Sequence, residues 1–392
     1  MSSPAITAST SPPSRAAVPG VVLQTLGSIA AVAVALLIGA VVIWISGNNA
    51  VGAYRALIDG AFNGRRAIAE TLIYSAPLIL GGLAFAVAFR AGMFNIGIEG
   101  QLVMGGFAAG IVGALDLGFP AAIHLPLALL AAVTAGGLWA AIAGGLKATT
   151  GAHEVISTIM LNYLAFRLIA YLVQKQGGWL PVQADLQATE RAVAAARLPR
   201  ILDGTRLHAG IIVALVGAFI LWYLLFRTTF GYSVRTVGLS RGAAAYGGIN
   251  WGLTITLAMA ASGMLAGLAG AGEALGLHGR HYAIAPGYGY TAIAVGLVGR
   301  NNPLAVILAG LLFGALASGA PSMQADAGVS AEIVQVIQGL VILAVAAFAV
   351  MNRLPFLRQR LVRRPEPTYG TDRSASIGME PEVETRAGPP SV

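Results

Sequence analysis

Apolar stretches separated by short polar ones run along the chain from about residue 21 to residue 350. The first, Val21–Ser46, exceeds both the ~20 residues that cross a hydrocarbon core and the h-region of a signal peptide, so it reads as a span and not a cleaved leader. Thr71–Phe89, Leu102–Leu117, Leu125–Ala148, Val155–Val173, Ala209–Phe226, Leu253–Leu275, Tyr290–Val298, Leu304–Ala317 and Ile333–Val350 follow. Tyr290–Val298 is too short to cross alone; it either extends back toward His281 or is a broken helix. Backbone groups in lipid must be satisfied within the protein, so these runs predict an all-α, polytopic transmembrane helical bundle of about ten spans. The Ser/Pro/Ala-rich residues 1–20 and the polar residues 353–392 are expected to be disordered cytoplasmic ends flanking a membrane domain at 21–352.

Lys and Arg placement sets the orientation. With the N-terminus inside, cytoplasmic segments carry Arg15, Arg90, Lys147, Arg227, Arg235, Arg241, Arg300 and the arginines of the tail. The opposite side carries fewer, mostly in the long 174–208 loop, and long loops translocate largely regardless of charge. Both termini are therefore placed inside. The same loop leaves five spans on each side of it with opposite topology, the five-plus-five inverted repeat of many transporters, with broken helices and a path near the midplane.

Composition agrees with this picture and removes alternatives. The 392 residues are 57% hydrophobic and 10% charged, far below the roughly 25% charged of soluble domains. Cysteine is absent, which excludes disulfides, thiolate metal sites and cysteine nucleophiles. The net charge of +8 comes almost wholly from arginine in loops and tail, with no basic stripe interleaved with aromatics, so nucleic acid is not an expected partner. No G-x-x-x-x-G-K-[ST] loop is present, and Ser157 stands where His153-Glu154 would need the second His of a zinc-protease motif. His278 and His281 lack carboxylate or thiol company and are a weak metal signal. The chain reads as a transport protein, not an enzyme, with no metal and no catalytic residues.

Without a hydrophobic drive between helices in lipid, small residues must let them approach. Gly106–Gly110, Gly263–Gly267 and Gly310–Gly314 supply such pairs, for packing within the chain or against a second subunit. Ionisable groups at membrane depth are few and informative. Glu99 lies in Phe94-Asn95-Ile96-Gly97-Ile98-Glu99-Gly100-Gln101, where polar groups and glycines interrupt two apolar runs; it is either part of a pathway or gate, or a cap on a helix break. Glu154 opens a span as a helix N-terminal charge. Glu273 either lines a path or pairs with Arg167. Phe94, Asn95, Glu99, Gln101, Asn162, Tyr163 and Glu273 are thus the pathway or gate candidates. Phe94, Tyr74 and Tyr163 either stack on a flat solute or pack against neighbouring helices.

The cytoplasmic stretch Arg227–Asn250 holds three arginines and no acid. Within it, Ser240 is a credible N-cap, Arg241–Tyr246 a short helix of small residues with one aromatic, and Gly247-Gly248 its stop. Such a helix is a poor membrane anchor and suits docking into a groove on a partner protein.

At this point the chain resembles the permease subunits of bacterial ABC importers for nucleosides and simple sugars, relatives of the ribose and branched-chain amino-acid permeases. The likeness is carried by Ala76–Leu83, Phe94–Gln101, Glu154–Tyr163, Gly238–Asn250 and Ile293–Pro303. It departs from the family pattern at His153, where Asn is usual, and at Gly296, where Ala is usual. The resemblance implies that Ser240, Arg241, Ala243, Ala244, Ala245, Tyr246 and Ile249 form the coupling helix seated in a cytoplasmic ABC ATPase. It further implies ATP-driven inward movement of a nucleoside or a related simple sugar, a small neutral polar solute, with a second permease subunit that is a paralogue of this one, an external substrate-binding lipoprotein, and residence in the bacterial cytoplasmic membrane. No cofactor is expected in this chain, ATP and Mg being used by the partner ATPase. A branched-chain amino acid or a pentose as cargo, or an ion-coupled secondary transporter, are the alternative readings.

Overall fold

A computed structural model describes residues 20–174 and 180–351. The two terminal segments expected to be disordered therefore lie outside the described residues, apart from Gly20. The described residues up to Ala349 form one compact unit.

Each of the ten apolar runs is centred on a helix, the run Leu102–Leu117 extending three residues past the end of its helix. These helices are α1 (Gly20–Ile45), α3 (Arg65–Arg90), α4 (Ile98–Ala114), α5 (Ala121–Thr150), α6 (Glu154–Val173), α7 (Gly210–Arg227), α10 (Trp251–Ala271), α11 (Tyr288–Val298), α12 (Pro303–Ala327) and α13 (Glu332–Met351). Three more helices were not separate apolar runs: α2 (Ala50–Phe62), α8 (Thr229–Leu239) and α9 (Arg241–Tyr246). A hairpin of two-residue strands, β1 (Val182–Gln183) and β2 (Ala188–Thr189), is the sheet content of the described residues. Among those residues six helices are long and apolar enough to cross a membrane, and four shorter apolar ones accompany them. The fold is an all-α polytopic bundle.

Local chemistry sets the helix ends. Asn49, Asn250 and Asn302 accept N-cap hydrogen bonds from the first turns of α2, α10 and α12, and Pro303 occupies the opening position of α12, where no donor is needed. Gly151 and Gly328 close α5 and α12 in the left-handed region.

α3 is the central post: residues from Ala69 to Ala88 are buried nearly without interruption, against α10, α11, α12 and α7. The GxxxG pairs serve contacts within this chain. Gly263 and Gly267 of α10 lie directly on the backbone of α5 at Gly136 and Ala132, and Gly310 and Gly314 of α12 lie on Ile79 and Ser75 of α3. Gly106 and Gly110 of α4 face His281 and Thr189. In contrast, α5 and α6 are the least buried of the long described helices, presenting Leu130, Leu138, Ile156, Met160 and Leu164 outward.

The described part of the loop between α6 and α7, residues 180–209, packs over one end of the bundle. Thr189 N donates to His281 O at 2.9 Å and Ala283 N to Gln187 O at 2.8 Å, which fixes the hairpin to the segment after α10, and Val193 N donates to Gly113 O at 2.8 Å, which fixes the following residues to the end of α4. At this end α10 passes into a π-helical turn, Gly272–His278, that carries Glu273. Glu273 lies 3.6 Å from His278, while Arg167 is exposed on α6. The Arg167–Glu273 pair weighed from sequence does not form, because Glu273 meets the histidine one π-turn further along its own helix.

Candidate functional site

The segment 91–97 breaks the path between α3 and α4, and its opened backbone is met by side chains. Asn95 Oδ1 accepts from Gly97 N at 2.8 Å, and Asn95 Nδ2 donates to Gln101 Oε1 at 3.0 Å and to Ser262 Oγ at 2.8 Å. From α6, Asn162 Oδ1 accepts from Gly100 N at 2.8 Å while its Nδ2 donates to Ile96 O at 3.0 Å. Ser262 donates onward to Ala84 O at 2.7 Å. Asn95, Gln101, Asn162, Thr158 and Ser262 are all buried. The bonds to Gly97 N, Gly100 N and Ile96 O answer the requirement that backbone freed at a helix break find a partner inside the protein, and those from Asn95 to Gln101 and Ser262 hold the side chains that do so.

A second break faces the first. Residues 279–287 are not helical, Gly287 has φ +81°, and α11 starts only at Tyr288. The short apolar run is therefore a broken helix, and its extension back toward His281 does not occur: Pro286 and Gly287 stop it. The N–H groups that open α11 point at Glu99 in the first turn of α4. Gly287 N donates to Glu99 Oε1 at 2.7 Å and Gly289 N to Oε2 at 2.5 Å. Both oxygens accept, which is the hydrogen-bonding pattern of a carboxylate. The contact is charge-assisted and lies at the positive end of the α11 dipole. Glu99 thus acts as the cap of a helix break, with the capped helix supplied from the other half of the chain.

The remaining candidates take different places. Phe94 packs edge-on against Phe85, 5.3 Å between centroids, and against Phe89. Phe85 also fills the space over Gly296, where a side chain would collide with it. Tyr74 meets Tyr288 edge-on at 6.5 Å, and Tyr288 stands within electrostatic reach of Glu99, Glu273 and Arg206. Tyr163 is 61% exposed on α6, on one stripe with Ile156, Met160, Arg167 and Tyr171. Thr158, Ser262, Tyr288 and Tyr290 were not singled out from sequence. For the two tyrosines the Pro286-Gly287-Tyr288-Gly289 punctuation was the available signal; for Thr158 and Ser262 only packing reveals the role.

At the other end of α3, the stretch 227–250 folds as α8, α9 and their caps. Ser240 Oγ accepts from Ala243 N at 3.3 Å and Gly247 closes α9, as the spacing implied. The guanidinium of Arg241 lies 4.0 Å above the Trp251 ring, tying α9 to the start of α10. Ala243 and Ala245 are exposed, and Tyr246 is 98% exposed. Ala244 and Ile249 are corrections to the expected docking face: Ala244 is fully buried and Ile249 half-buried, both packed on the bundle's own core, with Ile249 N donating to Ala244 O at 2.9 Å. They anchor α9; its free face is Ala243, Ala245 and Tyr246.

These features fit a multi-pass membrane transport subunit: small-residue packing, two shorter apolar helices meeting at a buried carboxylate, and an acid-free segment offering a short exposed helix. Residues 67–346 match the family described as branched-chain amino acid transport system / permease component, and the chain belongs to it. It is 42% identical over 324 residues to the guanosine ABC transporter permease protein NupP of Bacillus subtilis (strain 168), covering 81% of this chain and 91% of that one. It is 35% identical over 322 residues to the glucose ABC transporter permease protein TsgB13 of Haloferax volcanii, covering 79% and 83%. With the nucleoside ABC transporter permease protein NupB of Lactococcus lactis subsp. cremoris it shares 31% identity over 354 residues, covering 88% and 96%. The chain is accordingly an ABC permease subunit of the cell membrane and not itself an enzyme.

Proposed function

We propose that this chain is one permease of an ATP-driven importer that moves nucleosides inward. The observation that carries the transport reading is the tip-to-tip meeting of α4 and α11 at Glu99. Counting the six long and four shorter apolar helices as ten spans makes α4 the third and α11 the eighth, which are corresponding positions in two five-span halves. Paired half-helices at corresponding positions of inverted repeats are the arrangement that surrounds a midplane substrate site. Glu99, Asn95, Gln101 and Asn162 are then the hinge of the site, with Tyr74, Tyr288, Tyr290 and Glu273 on the approach to it. The nucleoside cargo draws support from NupP and NupB, and from a junction lined by amides, hydroxyls and aromatic rings that suits a neutral polar solute.

The exposed α6 stripe supports a second permease beside this one. An arginine facing hydrocarbon is costly, so Arg167, with Tyr163 and Tyr171, belongs on a wetted seam between two permeases. The free face of α9 takes the coupling-helix role toward a cytoplasmic ATPase that uses ATP and Mg. On the opposite end of α3, Arg66, Glu70, Arg200 and Arg206 line a cavity of about 400 Å³, in which Glu70 answers Arg206 at 2.7 Å. That basic face suits acidic side chains of an external binding lipoprotein.

Proteoliposomes holding the complete complex, with ATP inside, test the cargo by competition among labelled guanosine, uridine, ribose, glucose and leucine. Guanosine or uridine uptake is expected. Uptake of a sugar or leucine with both nucleosides inert rejects the nucleoside reading and leaves the permease assignment standing.

A further inference from the structure

Arg90 joins elements that the proposed transport cycle requires to move together. It is the last residue of α3 and half-buried. Its Nε donates to Asn301 O at 2.6 Å. Asn301 belongs to the turn Gly299–Asn302, which links α11 to α12 and holds Arg300 and Asn301 at φ +50° and +54°, conformations that side-chain-bearing residues seldom adopt. Asn301 N closes the end of α11 by donating to Gly296 O at 2.9 Å. The turn is thus wound tightly onto the helix it terminates, and a pull on Asn301 is a pull on α11.

On its other side Arg90 faces the cytoplasmic segment. Its guanidinium lies 5.0 Å from the centroid of Phe226, at the end of α7, and the guanidinium of Arg235 on α8 lies 5.3 Å from the same ring. Gly238 of α8 sits against the Arg90 carbonyl and Gly92, so closely that a side chain there would collide with the backbone. α8 leads through Ser240 directly into α9. The far end of α11 carries the Gly287 and Gly289 donors to Glu99, about 16 Å away at 1.5 Å per residue.

We infer that Arg90 is a positioning residue that transmits displacement of the α8–α9 segment through the Asn301 turn to α11, and so to the junction at Glu99. A planar guanidinium suits this task, since it stacks on a ring and donates a directed hydrogen bond at the same time, which an ammonium does less well. The bond goes to a main-chain carbonyl, so the link acts on backbone and not on a mobile side chain. Two like charges on one ring also repel, which favours movement of Arg235 relative to Arg90 when the segment is displaced.

The inference rests on the coupled-import reading, so wild-type ATP-driven uptake in the reconstituted complex is measured first; its absence sinks that reading and not this link. Arg90→Gln and Arg90→Lys are then compared for uptake and ATP hydrolysis in the same vesicles. Because the chain has no cysteine, Ile284→Cys reports on the exposed segment leading into α11 through maleimide labelling read from the mass of this chain. Arg90→Gln is expected to retain ATP hydrolysis while uptake per ATP falls roughly tenfold, the scale of one desolvated charged contact, with Arg90→Lys intermediate. The ATP-dependent change in labelling at position 284 should disappear with it. Unchanged uptake per ATP in Arg90→Gln, or ATP-dependent labelling that persists, overturns the inference. If Arg90→Gln does not assemble, Phe226→Leu, which keeps an apolar side chain and removes the ring, should give the same split. Wild-type coupling in Phe226→Leu, or failure of both variants to assemble, returns Arg90 to a purely structural role.

Discussion

Glu99→Gln probes the junction with the smallest change in shape. In the wild type each carboxylate oxygen accepts one N–H, from Gly287 at 2.7 Å and from Gly289 at 2.5 Å. The amide keeps one acceptor and turns a donor toward the other N–H, leaving a buried donor unanswered. Losing one charge-assisted bond costs about 1.5–3 kcal/mol, and losing the negative charge at the α11 N-terminus adds up to about 2 kcal/mol. Removing a desolvated charge offsets part of this, so a net local loss of about 2–3 kcal/mol is expected. That corresponds to roughly 30- to 150-fold faster exchange of the amides that open α11, if they exchange by local opening. Hydrogen exchange resolved over residues 287–298, alongside uptake, is the assay. Exchange at 287–290 within about twofold of wild type, with unchanged uptake, would refute the capping role and the half-helix junction with it.

Other perturbations address other parts of the fold. Tyr246→Asp should leave thermal stability within about 0.5 kcal/mol, since the residue is 98% exposed, yet abolish substrate-stimulated ATP hydrolysis in the complex; normal stimulation would remove α9 from the ATPase interface. Gly263→Leu should lower the melting temperature by the equivalent of about 3 kcal/mol or more, because its Cβ would meet the Gly136 carbonyl and the backbones of α5 and α10 have no room to part; an unchanged melting temperature would show that contact to be loose. Burial holds the pKa of His208 down to about 4, and burial with His278 nearby holds that of His281 down to about 3. Both are neutral in the fold, and Gly210 N donates to His208 Nδ1 at 3.1 Å, a bond that protonation must break. Their contribution is complete above the unfolded pKa of about 6.5 and is lost as pH falls from there toward 4, by about 1.4 kcal/mol per unit for each histidine. Limited proteolysis of residues 180–208 should therefore accelerate between pH 7.5 and 5.5, and equal protection at the two pH values would contradict the burial.

Much of this was legible in the residue order because it is decided locally. An apolar run in lipid must satisfy its backbone internally, whatever surrounds it, so each of the ten runs is centred on a helix, six of these long enough to cross a membrane among the described residues. Ser240 as a cap and Gly247 as a stop act within four residues of themselves, and α9 has the predicted ends. Glycine at i and i+4 invites a close neighbour, and each pair has one, backbone for Gly263–Gly267 and side chains for Gly110.

Which neighbour it is was a tertiary decision. Glu99 accepts from a donor 188 positions away, a partner that no local pattern in the sequence names. Ala244 was grouped with Ala243, Ala245 and Tyr246 in the coupling helix, but a six-residue helix of small residues has no apolar periodicity to reveal its inner face, and packing on the core turned Ala244 inward and Tyr246 out. Arg167 and Glu273 were matched by charge alone, and the π-helical turn put His278 beside the carboxylate instead. The physical reason is common to all three. Local structure follows from backbone hydrogen bonding and side-chain shape over a few residues, whereas the partner of a buried polar group depends on which distant segments the packing of small residues allows to meet.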